Sequence, residues 1–276
     1  MSQVDLHVHS TVSDGKYSPK AIIEKAASLG LTVISLTDHD SVDGIIPAGE
    51  AAEAFPHLRL IPGVEISTDT SDGEVHILGY FIDYSSSTLQ AALERFRNSR
   101  VGRAKGMIAR LADLGINIDW ERVQELAGEG SIGRPHIARA MQERGHISSF
   151  EEAFDKYIGY GKPAYVERDK MTPSEAVELV LKSEGLPVLA HPFTTGNAEK
   201  TAGELKQAGL AGIEAYYKDN TPEQTAMMLE MAERYGLLAT GGSDFHGIEH
   251  GNDAMLGSVD VPLEAAERLI AAGSRM

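Results

Sequence analysis

The sequence predicts an α/β fold with a mainly parallel sheet, of a size that suits one barrel-like domain carrying a helical insertion. Seven short β-branched or aliphatic runs alternate with amphipathic stretches, the pattern of strands covered by helices. Several of those stretches carry complete helix start and stop signals, and one long interval carries helix signals only. With 276 residues, 42% of them hydrophobic, the chain can bury a large core.

The strand-like runs are, in order, VDLHV (4–8), TVISLT (32–37), LRLIPGVEI (58–66), VHILGYF (75–81), PVLAH (187–191), AGIEAYY (211–217) and LLATGG (237–242). The first helix falls between the first two. SPKAIIEKAASLG (18–30) has a Ser cap, Pro at its first position and a closing Gly. TPSEAVELVLKSEG (172–185) and TPEQTAMMLEMAERYG (221–236) repeat that grammar after the fourth and sixth runs. Residues 87–160 read as four helices with no comparable strand signal: TLQAALERFRNSRVGRAKGMIARLADLG, DWERVQELAG, RPHIARAMQERG and SFEEAFDKYIG. The predicted organisation is a barrel over 1–84 and 168–276 and a helical insertion over 85–167 that caps the substrate. No internal repeat or low-complexity linker interrupts it.

Composition removes several classes of function. There are no cysteines, so disulfides and thiolate metal sites are excluded, and any metal must be held by nitrogen and oxygen. That donor set points to Mn, Fe, Zn or Mg. The formal charge of −16 opposes extensive binding to duplex nucleic acid, though it leaves room for a local basic channel. MSQVDLHVHS lacks a basic region followed by an apolar stretch, and no window approaches 18 uninterrupted apolar residues. The expectation is a cytoplasmic protein.

Six of the ten histidines fall in, or at the end of, apolar runs beside carboxylates: His7 and His9 in DLHVHS, His39 in SLTDHD, His76 in EVHILGY, His191 in VLAHP and His246 in GGSDFHG. On a strand, positions i and i+2 share a face, so His7 and His9 can reach one point. In a parallel barrel the carboxyl ends of the strands converge on one rim, which gathers the others there. One such histidine alone would read as structural; the repetition over separate strand ends predicts a metal cluster. Asp14, Glu65 and Asp244 add carboxylates, while Asp38 and Asp40 suit either ligation or hydrogen bonding around it. His57, His146 and His250 read as surface residues.

Over residues 7–247, HxHSxxSDG, TDHD, GVEIS, HILGY, AHP and GGSDFHG stand in order. The sequence resembles the PHP (polymerase and histidinol phosphatase) family of metal-dependent phosphoesterases. More closely, it is similar to the bacterial subgroup that removes the 3′-phosphate from nucleoside 3′,5′-bisphosphates and trims the 5′ ends of short RNAs. The resemblance implies a distorted (β/α)7 barrel and a cluster of two to three divalent ions, Mn foremost. His7, His9, Glu65 and Asp244 would hold the first ion. Glu65 would bridge to a second completed by His76 and His191, and Asp14, His39 and His246 would hold the third.

Such a cluster suits phosphate. Three divalent ions bring roughly +6, against about −3 from Asp14, Glu65 and Asp244. A bridging hydroxide leaves an excess near +2, matched to a phosphomonoester dianion. The expected nucleophile is that hydroxide, held by Glu65, Asp244 and His191 and attacking phosphorus in line. In the insertion, SIGRPHIARAM (131–141) sets Arg134 before Pro135 at a predicted helix start, where backbone N–H groups also favour anions. The subgroup's similar GRPHIA segment implies that Arg134 and His136 face the substrate. Lys162, in GYGKPAYV (159–166), reads either as a ligand contact or as part of a chain return. Between Arg95 and Arg110 six cations occur with no acidic residue, and Arg100 and Arg103 share a helical face. They read as a funnel for a nucleotide or short oligonucleotide, or as a solvated face.

Competing readings are a histidinol-phosphate-type phosphatase, a non-catalytic metal-binding PHP module, and an amidohydrolase. The charge balance disfavours the last, as does the expectation that no lysine stands at a strand end.

Overall fold

The computed structural model describes residues 2–70, 73–128, 132–167, 171–247 and 255–275. They form two compact units, Met1–Ala91 with Met171–Met276, and Ala92–Lys170.

The first unit is built on a seven-stranded sheet in sequential order: β1 (Val4–Val8), β2 (Val33–Leu36), β3 (Arg59–Thr70), β4 (Gly73–Tyr80), β5 (Leu186–Leu189), β6 (Gly212–Tyr217) and β7 (Leu238–Gly242). All seven predicted strands are present. The sheet is mixed rather than a run of parallel neighbours, because β4 is antiparallel to both β3 and β5 while the other pairs are parallel. Thr70 pairs with Gly73. A connection that short can make only a hairpin, since a parallel crossover needs a dozen or more residues. The sheet closes on itself where His9 N–H donates to Phe245 O (2.9 Å) and Val8 bridges Phe245 in parallel.

Helices α1 (Pro19–Ser28), α2 (Ile45–Ala52), α7 (Pro173–Lys182), α8 (Ala198–Ala208), α9 (Pro222–Tyr235) and α10 (Leu263–Gly273) cover the sheet; α3 to α6 come between. The predicted caps form. Ser18 accepts from Ala21 N–H at α1, and Thr172 with Glu175 and Thr221 with Gln224 make reciprocal capping boxes at α7 and α9. One buried cluster joins Val4, Leu6, Ile61, Leu78, Tyr80 and Val188, and another packs Ile22 and Ile23 of α1 against Ile34 and Leu36 of β2. The face of β1 opposite Val4 and Leu6 carries Asp5, His7 and His9.

The second unit is helical, as the strand-free interval predicts. It comprises most of α3 (Ser87–Asp113), α4 (Trp120–Ala127), α5 (Arg134–Glu143) and α6 (Phe150–Ala153), which continues as one π-helical turn, Phe154–Ile158. Met107, Leu111, Val123, Ile137, Met141 and Ile158 form its core.

Candidate metal centre

Every predicted histidine ligand is placed by backbone pairing at one end of the first unit's sheet. His7 is the penultimate residue of β1, and His9 directly follows the strand. The β2–β3 ladder continues past β2, since Asp40 N–H donates to Glu65 O (2.9 Å) and Glu65 N–H to Asp38 O (3.2 Å), which lays His39 beside Glu65. His76 stands early in its strand, which in a parallel array would put it at the opposite end from the other ligands. Because β4 runs backwards, its early residues lie at the end where its neighbours finish; His76 pairs with Ser67, and Ala190 N–H donates to His76 O. His191 follows β5, and Asp244 and His246 follow β7.

The loop that supplies Asp14 is pinned by Asp38. Its carboxylate accepts from Ser10 N–H (2.7 Å), Ser10 Oγ (2.7 Å) and Ser13 Oγ (2.6 Å). Gly15 completes this turn: a Cβ there would sit 2.4 Å from His9 O, so no side chain fits. Asp38 and Asp40 are therefore scaffold residues, with Asp40 Oδ1 accepting from Ser67 N–H (3.0 Å).

Glu65, 1% exposed, is the hub. Its Oε1 lies 2.8 Å from His76 Nδ1 and 3.0 Å from His191 Nε2, while its Oε2 lies 3.0 Å from His39 Nδ1, 3.2 Å from His9 Nε2 and 3.3 Å from His7 Nε2. Asp244 Oδ1 is 3.1 Å from His9 Nε2 and 3.5 Å from His7 Nε2. Asp14 Oδ1 is 3.4 Å from His246 Nε2. Among the described residues three donor groups result, each with its atoms mutually within 4.8 Å: His9, Asp14, His39 and His246; His7, His9 and Glu65; and His39, Glu65 and His76. Thus His39 belongs to two groups, where the resemblance gave it to one.

Several of these atoms are stranded. His7 Nε2, His9 Nδ1 and Nε2, Asp14 Oδ1 and Glu65 Oε2 are buried and make no well-directed hydrogen bond among the described residues. Such atoms are costly unless something else binds them. A divalent cation answers the need of both imidazole nitrogens and carboxylate oxygens, so the donor set fits metal ions.

The electrostatics agree. Burial alone would raise the Glu65, Asp14 and Asp244 pKa values, yet the surrounding histidines hold all three well below the usual carboxylate range. Burial opposes charge on His9, but the nearness of Asp244 and Glu65 overrides it and raises that imidazole to about 10 without metal. His39 goes the other way, down to about 3, chiefly through burial.

Sequence reasoning missed the contribution of β6, which bears no predicted ligand. Fully buried Glu214 Oε1 lies 3.0 Å from His7 Nδ1, and its Oε2 accepts from His191 N–H (2.7 Å). It holds two candidate ligands at once, as a carboxylate behind a metal-binding histidine does. A carboxylate inside the apolar run GIEAYY was the available signal, because a buried charge needs a partner. The expectation of no strand-end lysine is also corrected: Lys218 follows β6 directly, with Nζ 3.1 Å from Asp244 Oδ2. Its chain position was plain, but its aim at Asp244 depends on how β6 lies beside β7.

The predicted substrate residues all belong to the second unit. α5 begins at Arg134 as expected, and the Arg134 guanidinium stands 5.5 Å from the Phe154 ring centroid. His136 is buried, and its Nδ1 accepts from Gly133 N–H (3.0 Å), capping its own helix. Arg100 Nη1 reaches the same helix start, 3.7 Å from where a Cβ on Gly133 would be. Arg103 is buried, donates from Nε to Val166 O (2.9 Å) and lies over the Tyr165 ring. Lys162 is exposed. Of the expected surface histidines, His57 is exposed, His146 is half-buried with Nε2 3.2 Å from Asn117 O, and His250 lies outside the described residues.

Residues 5–167 match the PHP domain model, more than half of the chain. The chain belongs to the PHP family. Among relatives of this PHP chain, the 3′,5′-nucleoside bisphosphate phosphatase of Chromobacterium violaceum is 32% identical over 267 residues, covering 95% of this chain and 93% of its own. The 5′-3′ exoribonuclease Rnm of Escherichia coli is 34% identical over 251 residues, covering 88% and 84%. A solved structure from Bifidobacterium adolescentis, described as a metal-dependent phosphoesterase, superposes with a TM-score of 0.87 at 30% identity, over 97% of this chain and 95% of that one. The PHP chain is accordingly an enzyme of the metal-dependent phosphoesterase class. Among its described residues, no helix is long and apolar enough to cross a membrane.

Proposed function

We propose that this enzyme removes phosphate from nucleotides, converting nucleoside 3′,5′-bisphosphates to 5′-monophosphates, and also trims the 5′ ends of short RNA. The observation that carries the reading is the convergence of stranded buried donors on Glu65: His7 Nε2, His9 Nε2 and Glu65 Oε2, with Asp14 Oδ1 beside His246. His7, His9, Asp14, His39, Glu65, His76, His191, Asp244 and His246 would hold two to three divalent ions, Mn foremost.

When bound, the ions supply Lewis acidity toward water and phosphoryl oxygens. The chain's own residues do the rest. Glu65, nearly inaccessible to solvent, keeps the donors at fixed spacing, and Glu214 fixes the ring of His7 and the backbone of His191. Arg100 and Arg134, together at the start of α5, would grip a phosphate with the N–H groups of that helix, and Lys162 adds an exposed cation. Arg103 and His136 support this edge from within: Arg103 holds the segment at Val166, and His136 caps α5. The excess positive charge of a filled cluster selects a phosphate dianion over a neutral amide. The names and extensive coverage of the Chromobacterium and Escherichia relatives support a nucleotide or RNA end as the substrate.

The test is a side-by-side assay of the Mn-loaded protein on adenosine 3′,5′-bisphosphate, a 5′-phosphorylated trinucleotide RNA and histidinol phosphate, before and after chelation. Release of phosphate from the bisphosphate, loss of turnover on chelation and recovery with Mn are expected. Preference for histidinol phosphate, or turnover that survives complete metal removal, would overturn the reading.

A further inference from the structure

Each strand of the sheet except β6 carries, or is followed within a few residues by, a candidate metal ligand among the described residues. β6 instead directs two hydrogen-bond donors at a ligand carried by β7. Tyr217 Oη lies 2.9 Å from Asp244 Oδ2, and Lys218 Nζ lies 3.1 Å from the same oxygen and 3.3 Å from Asp244 O. The other carboxylate oxygen, Oδ1, faces His9 Nε2 at 3.1 Å, His7 Nε2 at 3.5 Å and His246 Nδ1 at 3.6 Å. The two oxygens of one side chain are thus divided between two kinds of neighbour. Oδ2 already receives a neutral and a charged donor, and Oδ1 alone is turned toward the imidazoles.

The backbone is constrained as well. Asp244 has φ +50°, a left-handed conformation that a non-glycine residue keeps only when its surroundings impose it. Lys218 holds both the carbonyl and the carboxylate of this residue.

We propose that Tyr217 and Lys218 are positioning residues that restrict Asp244 to binding through one oxygen, and thereby set which divalent ions the cluster accepts. This rests on the reading of the cluster as a metal centre. Ca2+ is large, collects six to eight oxygen donors and readily takes both oxygens of a carboxylate. A one-oxygen Asp among imidazoles suits Mn, Fe or Zn. With the two donors removed, Asp244 can turn both oxygens to an ion and the discrimination against Ca2+ falls.

A ratio isolates this effect, because deleting the Lys218 charge strengthens the binding of every divalent ion alike. The wild type, Tyr217→Phe, Lys218→Met and Lys218→Arg proteins are loaded with Mn2+, desalted and titrated with Ca2+. Retained Mn is read by elemental analysis, and the unfolding midpoint of each metal-free protein confirms folding. The Ca2+ concentration that displaces half of the Mn should fall at least about tenfold in Tyr217→Phe and Lys218→Met. It should return toward the wild-type value in Lys218→Arg, which keeps a charged donor. A displacement point within twofold of wild type in whichever of the two deletion variants folds overturns the proposal. Wild-type protein that retains no Mn through desalting overturns the metal-centre reading itself.

Discussion

In the helical unit, several charged side chains are answered from within the unit. Arg103 gives its Nε to Val166 O, Arg110 donates to Tyr165 O, Lys105 lies over the Trp120 ring, and Arg122 meets Glu143. At the end of the sheet in the other unit, buried donors and acceptors converge but do not satisfy each other. A cation-rich helix is therefore weak grounds for a binding funnel until each cation's partner is known. A set of buried, mutually close and unsatisfied donors is strong grounds for a metal-binding site, because folding would not otherwise leave them so.

The largest expected effect breaks the second half of that contrast. Glu65→Ala removes the carboxylate shared by five histidines. Phosphatase activity should fall by at least ~10³-fold, and bound metal with it, as several kcal/mol of transition-state charge stabilisation is lost. Steady-state assay with elemental analysis checks both. His9→Ala should follow closely, because His9 belongs to two donor groups.

A smaller loss separates ligand from support. Glu214→Gln keeps volume and removes the charge behind His7 Nδ1, so metal affinity should fall about 10–100-fold. Isothermal titration with Mn2+ reads this, and unchanged affinity would show that Glu214 serves packing alone.

Acidity sharpens the contrast further. In the metal-free protein the Glu65, Asp14 and Asp244 pKa values are depressed, so their stabilising contribution is present above the usual carboxylate range and is lost as pH falls through the lower folded values. His9 is raised to about 10, so its contribution is full below about 6.5 and is lost as pH rises through about 10. A metal bound through His9 would displace that same proton. The gap in Tm between Mn-loaded and chelated protein should therefore widen from pH 6.5 to 9; a flat or narrowing gap would contradict the assignment of His9.

The smallest effects belong to the helical unit. Arg103→Met should cost about 1–3 kcal/mol by stranding Val166 O, with bound metal unchanged, as denaturant unfolding and elemental analysis will show. Arg122→Ala, which breaks a solvent-screened pair with Glu143, should change stability less than Arg103→Met in the same measurement.

Much of this contrast was legible in the sequence, and the illegible parts share a cause. Strand periodicity and Ser/Thr–Pro caps are local signals, so all seven strands and the α1, α7 and α9 starts could be read. The histidines at strand ends became a cluster by assuming convergence on one rim. The reversal of β4 escaped, although the short gap in TSDGEV between β3 and β4 encodes it. Glu214, Tyr217 and Lys218 escaped for another reason: their partners, His7 and Asp244, are distant in the chain, and their meeting depends on how β6 lies against its neighbours. Arg103 illustrates the converse, since its helical face was correctly read while its partner, Val166 O, lies 63 residues away.

The most direct test of the central claim is the count of divalent ions per chain in Mn-saturated, desalted wild-type protein, measured beside Glu65→Ala. Two to three ions in the wild type, and fewer than one in the variant, are predicted. One ion or none in the wild type, or equal counts in the two proteins, would contradict the account.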